Sequence, residues 1–146
     1  MSGRLLLIGG AVLLLIFGST LWYTQMYAFY EDLPDTGEIT VAERTVPVDG
    51  FQGIDAMSSP IKLRACMTLD PGAFADLEPS QAAVPLVAPY WFDCFDARAI
   101  GKALESGAAT AYLAASGEFH GSERMIAVFE DGRAFMWRQL SPEFSK

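Results

Sequence analysis

Hydrophobic and polar positions change rhythm twice along this chain. From Leu5 to Tyr30 no residue is charged, and LLLIGGAVLLLIFGSTLWY is apolar apart from Ser19 and Thr20. At ~1.5 Å rise per residue, about twenty such residues cross the ~30 Å hydrocarbon core of a bilayer. Residues 5–27 are therefore predicted to form a transmembrane anchor, preceded by a short cytoplasmic N-terminus, 1–4. A cleaved signal peptide competes with this reading. The apolar run is longer than an ordinary signal core, no small-x-small cleavage site follows, and Trp22, Tyr23 and Tyr27 stand where a spanning helix sets its interfacial aromatics.

After the anchor, residues 28–37 read as a linker containing EDLPDTG, and the extracytoplasmic domain is expected over 38–146. EITVAERTVPV, 38–48, predicts a strand that Pro47 confines to an edge or an end, and DGFQG a turn. From Ile61 the alternation is regular. Ile61, Leu63, Ala65, Met67 and Leu69 share one side, and Lys62, Arg64, Cys66, Thr68 and Asp70 the other, which predicts a half-buried strand with Cys66 on its polar face. Asp70-Pro71 predicts the capped start of a short helix burying Phe74 and Leu77. Asp96 is expected to cap a second helix, DARAIGKALES, which Gly107 ends.

ATAYLAA predicts a strand, and RMIAVFEDGRAFMWRQL a hairpin turning at Asp131-Gly132 in a type I′ turn with positive φ at both positions. That register pairs Glu130 with Arg133, Val128 with Phe135 and Ile126 with Trp137, and on the opposite face Phe129 with Ala134 and Ala127 with Met136. Both faces are apolar, so the hairpin is expected near the middle of its sheet. The fold class is α+β: a transmembrane helix, then a small antiparallel sheet of four or five strands with two short helices.

Charge fixes an expected orientation. Arg4 precedes the anchor while Glu31, Asp32 and Asp35 follow it, so the positive-inside rule puts the N-terminus in the cytoplasm and the domain outside. Residues 31–146 carry all 18 acidic and nine of the ten basic residues, a net charge of −9. With no Lys or Arg cluster, nucleic acid is excluded as a partner, and the absence of G-x-x-x-x-G-K-[ST] and G-x-G-x-x-G excludes a nucleotide.

Two cysteines in an oxidising compartment are expected to pair, Cys66 with Cys94, as a structural staple. Asp93 and Asp96 disfavour a Cys94 thiolate, while Lys62 and Arg64 make Cys66 the better thiolate, so a redox pair and two free thiols are the alternatives. Two Cys and one His, His120, in a Gly- and Ser-containing loop, do not make a zinc site. Ser59 and Lys62 match the S-x-x-K spacing of Ser-Lys acyl-transfer enzymes, a weak catalytic alternative because the residues that follow alternate as a strand and no S-x-N or K-T-G companion exists. Tyr90, Trp91, Phe92 and Trp137 belong to an aromatic set, with Phe95 and Phe135, that fills a core or forms a partner-binding face.

GIDAMSSPIKLRAC, VAPYWFDCFDA and EDGRAFMWRQL behind an N-terminal anchor resemble a small family of uncharacterised bacterial single-pass membrane proteins. Some members carry the label histidine kinase. The residues do not support that label: the chain has no Asn for a nucleotide box, and its one His lies in a loop on the non-cytoplasmic side. The resemblance implies an inner-membrane protein with a periplasmic domain and no assigned activity.

The expected function is that of a non-enzymatic, membrane-anchored interaction protein without cofactor or metal: an accessory subunit, assembly factor or envelope component docking on another membrane or periplasmic protein. The alternatives are an extracytoplasmic enzyme, through Cys66/Cys94 or Ser59/Lys62, and a sensor-type domain of a signalling system.

Overall fold

A computed structural model describes residues 2–145 and divides into two compact units, one ending at Tyr30 and the other beginning at Glu31. In the first, α1 (Gly3–Tyr23) continues into one wider turn, Thr24–Ala28. Gly3–Ala28 has a window of mean hydropathy 2.3 and none of it is buried, the length and composition of a membrane anchor or a signal sequence. Its threonine hydroxyls donate back to the helix, Thr20 to Ile16 O (2.8 Å) and Thr24 to Leu21 O (2.9 Å), so neither is left unpaired in an apolar medium.

The second unit is α+β. An antiparallel sheet runs in the order β1 (Tyr30–Leu33), β3 (Arg44–Ala56), β4 (Arg64–Leu69), β7 (Arg133–Leu140), β6 (Ser122–Phe129), β5 (Ala109–Ser116), and β2 (Glu38–Val41) pairs with the start of β3. Seven strands exceed the four or five expected, for two reasons. The predicted linker supplies β1, and the single strand read over 38–48 is two, folded at Ala42 and Glu43. That two-residue turn has φ of 49° and 65°, both positive, in residues that carry a Cβ, so it lacks the Asn-Gly signature that would reveal it. The predicted turn DGFQG is instead a bulge between Asp49 and Gln52 inside β3. Bulges bend a strand, and this one folds the β2–β3 hairpin over the sheet.

One face of the sheet carries Ala65, Met67, Leu69, Ile126, Val128, Ala134 and Met136, and the folded hairpin covers it with Ile39, Val41, Val46 and Val48. The far end of the hairpin closes on the edge strand: Ala42 N–H donates to Ala114 O at 2.8 Å. Ala114 is the bulged residue of β5 and is buried in this core. Of the two short helices, α2 (Ala97–Ser106) is α-helical, capped by Asp96, whose carboxylate accepts Ala99 N–H at 3.1 Å, and ended by Gly107 at φ 80°, while the first is a 3-10 helix capped by Asp70, whose carboxylate accepts Gly72 N–H, and burying Phe74. Asp70-Pro71 starts only this tight turn, Pro71–Phe74, held by three-residue bonds, with Gly72 in its first turn unable to favour a longer helix.

The β6–β7 hairpin is shifted by one residue from the expected register. Val128 faces Ala134, Ala127 faces Phe135 and Met125 faces Trp137. The loop is three residues, Glu130–Gly132, with positive φ (94°) only at Gly132, so the type I′ turn does not form. Asp131 fixes the loop by accepting Arg133 N–H at 3.1 Å and Nε at 2.8 Å, which holds its carboxyl below the usual carboxylate range. A one-residue slip changes which side chains share a face. Met125, Ala127, Phe135 and Trp137 therefore form a second apolar face with Cys66.

Two variants test these backbone assignments in the full chain in detergent. A Cβ on Gly132 would lie 2.8 Å from Leu69 O at a positive φ, so Gly132→Ala is expected to lower the unfolding free energy by about 2 kcal/mol. Ala42→Asn combined with Glu43→Gly places favoured residues in the left-handed turn and is expected to raise it by about 1 kcal/mol. Urea unfolding followed by tryptophan fluorescence measures both.

Candidate functional site

Residues 79–95 cross the second face of the sheet without forming helix or strand. Pro79, Pro85 and Pro89 explain why: each removes a backbone donor and restricts the residue before it. A segment of this kind has no ladder to satisfy its backbone, yet buried N–H and C=O groups need partners. Side chains from the sheet provide them. Arg64, on β4, is buried, and its guanidinium donates from Nε to Leu86 O (3.0 Å), from Nη2 to Val87 O (3.0 Å) and from Nη1 to Ile61 O (2.8 Å) and Leu63 O (2.6 Å). Gln139, on β7, is buried as well. Its amide donates to Ala82 O and accepts Val84 N–H, each at 2.8 Å, and its oxygen also accepts the indole N–H of Trp137 at 3.0 Å.

Two further ties complete the strap. Ser80 N–H donates to Ala111 O on β5 at 2.8 Å, and Cys94 is joined to Cys66, with Cα atoms 6.2 Å apart. The alternation from Ile61 sets Cys66 on the polar face of β4. Arg64 and Cys66 on that side are buried, while Thr68 and Asp70 are exposed: Cys66 lies in the core cluster with Phe95, Ile100, Met125, Ala127 and Trp137, because the strap covers it.

The outward side of the strap is apolar. Val87 is 83%, Tyr90 65% and Val84 60% exposed. Trp91 and Phe92 are half-buried beside them, their rings edge to face at 6.4 Å, and Phe92 packs on the core below. Trp137 is fully buried and adds nothing to this surface; its ring meets Phe95 at 6.3 Å. A recess of about 360 Å³ opens between the strap and the start of α2, lined by Val87, Tyr90, Phe92, Asp93 and Arg98 among others.

Ser59 and Lys62 lie elsewhere. The residues around them form turns rather than the helix that S-x-x-K chemistry requires, and the Ser59 hydroxyl accepts Ile61 N–H at 3.4 Å. Ser59 instead lines a cleft of about 530 Å³ with Glu31, Leu33, Asp55, Met57, Phe119 and His120. Among the described residues no group of three metal-ligating side chains is present. Behind this cleft stands a charge network that sequence reading missed. Arg138 is buried and donates from Nη1 to Asp55 (3.2 Å) and Pro60 O (3.2 Å), with its guanidinium 4.7 Å from the Phe119 ring. Glu118 binds Arg124 at 3.1 Å and lies 3.6 Å from Arg138 Nε, which is buried without a hydrogen bond. Arg124 and Arg138 face each other across the hairpin only in the observed register, so the expected register hid the pair.

A family model described as "Family of unknown function (DUF6446)" matches residues 36–145. The chain belongs to that family. The match takes in the strap, Arg64, Gln139 and both cysteines, and leaves out the apolar helix. No curated protein and no solved structure matches the chain.

Arg64→Met removes the donors to four carbonyls and is expected to cost about 2–4 kcal/mol, against less than ~0.5 for Arg98→Met on the exposed side of α2. Replacing Cys66 and Cys94 together by Ser opens a link across a sequence separation of 28 and is expected to cost ~3–4 kcal/mol in the chain-entropy account. Denaturant unfolding of the full chain, in oxidising buffer, reads both.

Proposed function

We propose that this protein is a non-enzymatic, membrane-anchored docking protein whose strap, residues 79–95, is the partner-binding surface. The observation that carries this reading is the combination of a locked backbone with uncovered apolar side chains. Arg64, Gln139 and the disulfide hold an irregular segment in one conformation, and that segment turns Val84, Val87 and Tyr90 outward. Loops fixed on a rigid scaffold carry binding function, and a surface ordered beforehand loses less entropy on association. Tyr with half-buried Trp is a composition suited to an interface centre.

The remaining parts agree. In this reading the helix stays uncleaved; Arg4 before it and Glu31, Asp32 and Asp35 after it support a domain outside the cytoplasm, in a bacterial periplasm, where a Cys66–Cys94 bond persists. With both sulfurs joined and Ser59 in a turn, neither alternative chemistry has an activated nucleophile. The partner is a protein in or near the same membrane with an apolar face matching the strap.

Site-specific photocrosslinking in cells tests this with the full chain. A photoreactive residue at Val87 or Tyr90 is expected to give a discrete adduct that the same residue at exposed Thr45 does not. Val87→Asp is expected to abolish the Tyr90 adduct while leaving the unfolding midpoint unchanged. Equal adducts at Thr45, or none at any strap position, contradicts the reading.

A further inference from the structure

The cleft on the opposite face is an independent feature. Its walls are Leu33, Ala56, Met57, Pro60 and Phe119, and its charged lining groups are Glu31 and Asp55, with His120 the single basic side chain. The two arginines near it are already neutralised: Arg138 by Asp55 and Glu118, Arg124 by Glu118. Glu31 makes no ion pair among the described residues and is exposed. Asp32 and Asp35 follow it in sequence, and residues 31–146 carry a charge of −9, so the potential over the cleft favours a cation.

Two of the apolar walls are uncovered, while Ala56 is buried and Leu33 half-buried. Met57 is 96% exposed at the rim and Phe119 50%. Methionine adapts to varied apolar shapes, and an aromatic face attracts a guanidinium, as Phe119 already does with Arg138 in this chain.

We propose that this cleft binds an arginine or lysine side chain from a basic, apolar segment of a partner protein. The aliphatic stem lies along Leu33, Met57 and Phe119, and the cationic head reaches Glu31. A long basic side chain combines these two demands, an apolar stem and a charged tip. The site stands on the sheet face opposite the strap and does not depend on it. One domain can thereby hold two surfaces, one apolar and one selecting charge.

The test uses the full ¹⁵N-labelled chain in nanodiscs of zwitterionic phosphatidylcholine, which offers no net lipid charge. The probes are acetylated, amidated pentapeptides Ala-Leu-X-Leu-Ala with X as Arg, Gln or Glu. The Arg peptide is expected to give saturable amide shifts at Leu33, Asp55–Met57 and Phe119, and to bind roughly tenfold more tightly than the Gln peptide. Glu31→Gln, at an exposed and unpaired position, is expected to remove most of that preference, and Phe119→Ala to weaken both peptides. Val87→Asp is expected to change neither, so failure here and failure of the strap reading are separable. Equal binding of the Gln or Glu peptide, shifts that map away from the cleft, or no saturable shift overturns the proposal.

Discussion

A segment of chain that forms no ladder can lie buried on a sheet only if side chains replace the missing strand, and Arg64 and Gln139 do so here. Between them they engage the carbonyls of Ala82, Leu86 and Val87 and the N–H of Val84. An unpaired buried backbone group costs about 1–3 kcal/mol, so these two residues decide whether the strap lies down at all. The disulfide then fixes its far end. With the strap in place, Cys66, Met125, Ala127 and Trp137 are covered, and the second core exists.

The first core is closed by different means. A bulge at Asp49–Gln52 turns the β2–β3 hairpin across the sheet, and the strained turn at Ala42 and Glu43 reaches β5 through one backbone hydrogen bond. Beyond that core the same sheet face becomes charged, with Arg124, Arg138, Asp55 and Glu118 interlocked behind an open cleft. The domain thus puts a rigid apolar strap on one face and an acidic, apolar-walled cleft on the other. The two surfaces differ in chemistry, the first apolar and the second lined by Glu31 and Asp55.

Much of this was legible where local chemistry is decisive. The apolar helix, α2 with its Asp96 cap and Gly107 stop, the strand within the 61–69 alternation, which begins only at Arg64 because Pro60 and Ile61 lie in a turn, and the 126–137 hairpin follow from periodicity and cap residues. The errors have physical causes. Alternation from Ile61 marks two faces but does not say that the polar one is solvated; Arg64 is polar because it must bond carbonyls, and its burial comes from a segment twenty residues downstream. Asp131-Gly132 signals a turn, yet it suits a three-residue loop with positive φ at Gly132 alone as well as a two-residue one, and taking Glu130 into the loop moved the whole register. The Ala42–Glu43 turn has no sequence signal at all, since tertiary contact with Ala114 holds it. Trp137 belongs to an aromatic set that reads as core or as partner-binding face, and it is buried because it lies opposite Arg64 on the face that the strap covers.

The central claim is that the strap is a fixed part of the folded domain and not a mobile connection. Native-state hydrogen exchange of the wild-type chain tests it most directly. The amides of Ser80 and Val84, bonded to Ala111 O and to Gln139, should exchange as slowly as those of β7, within about one order of magnitude. Exchange of those two amides at the rate of the exposed turn at Met57 and Ser58 would show the strap open in solution and contradict the account.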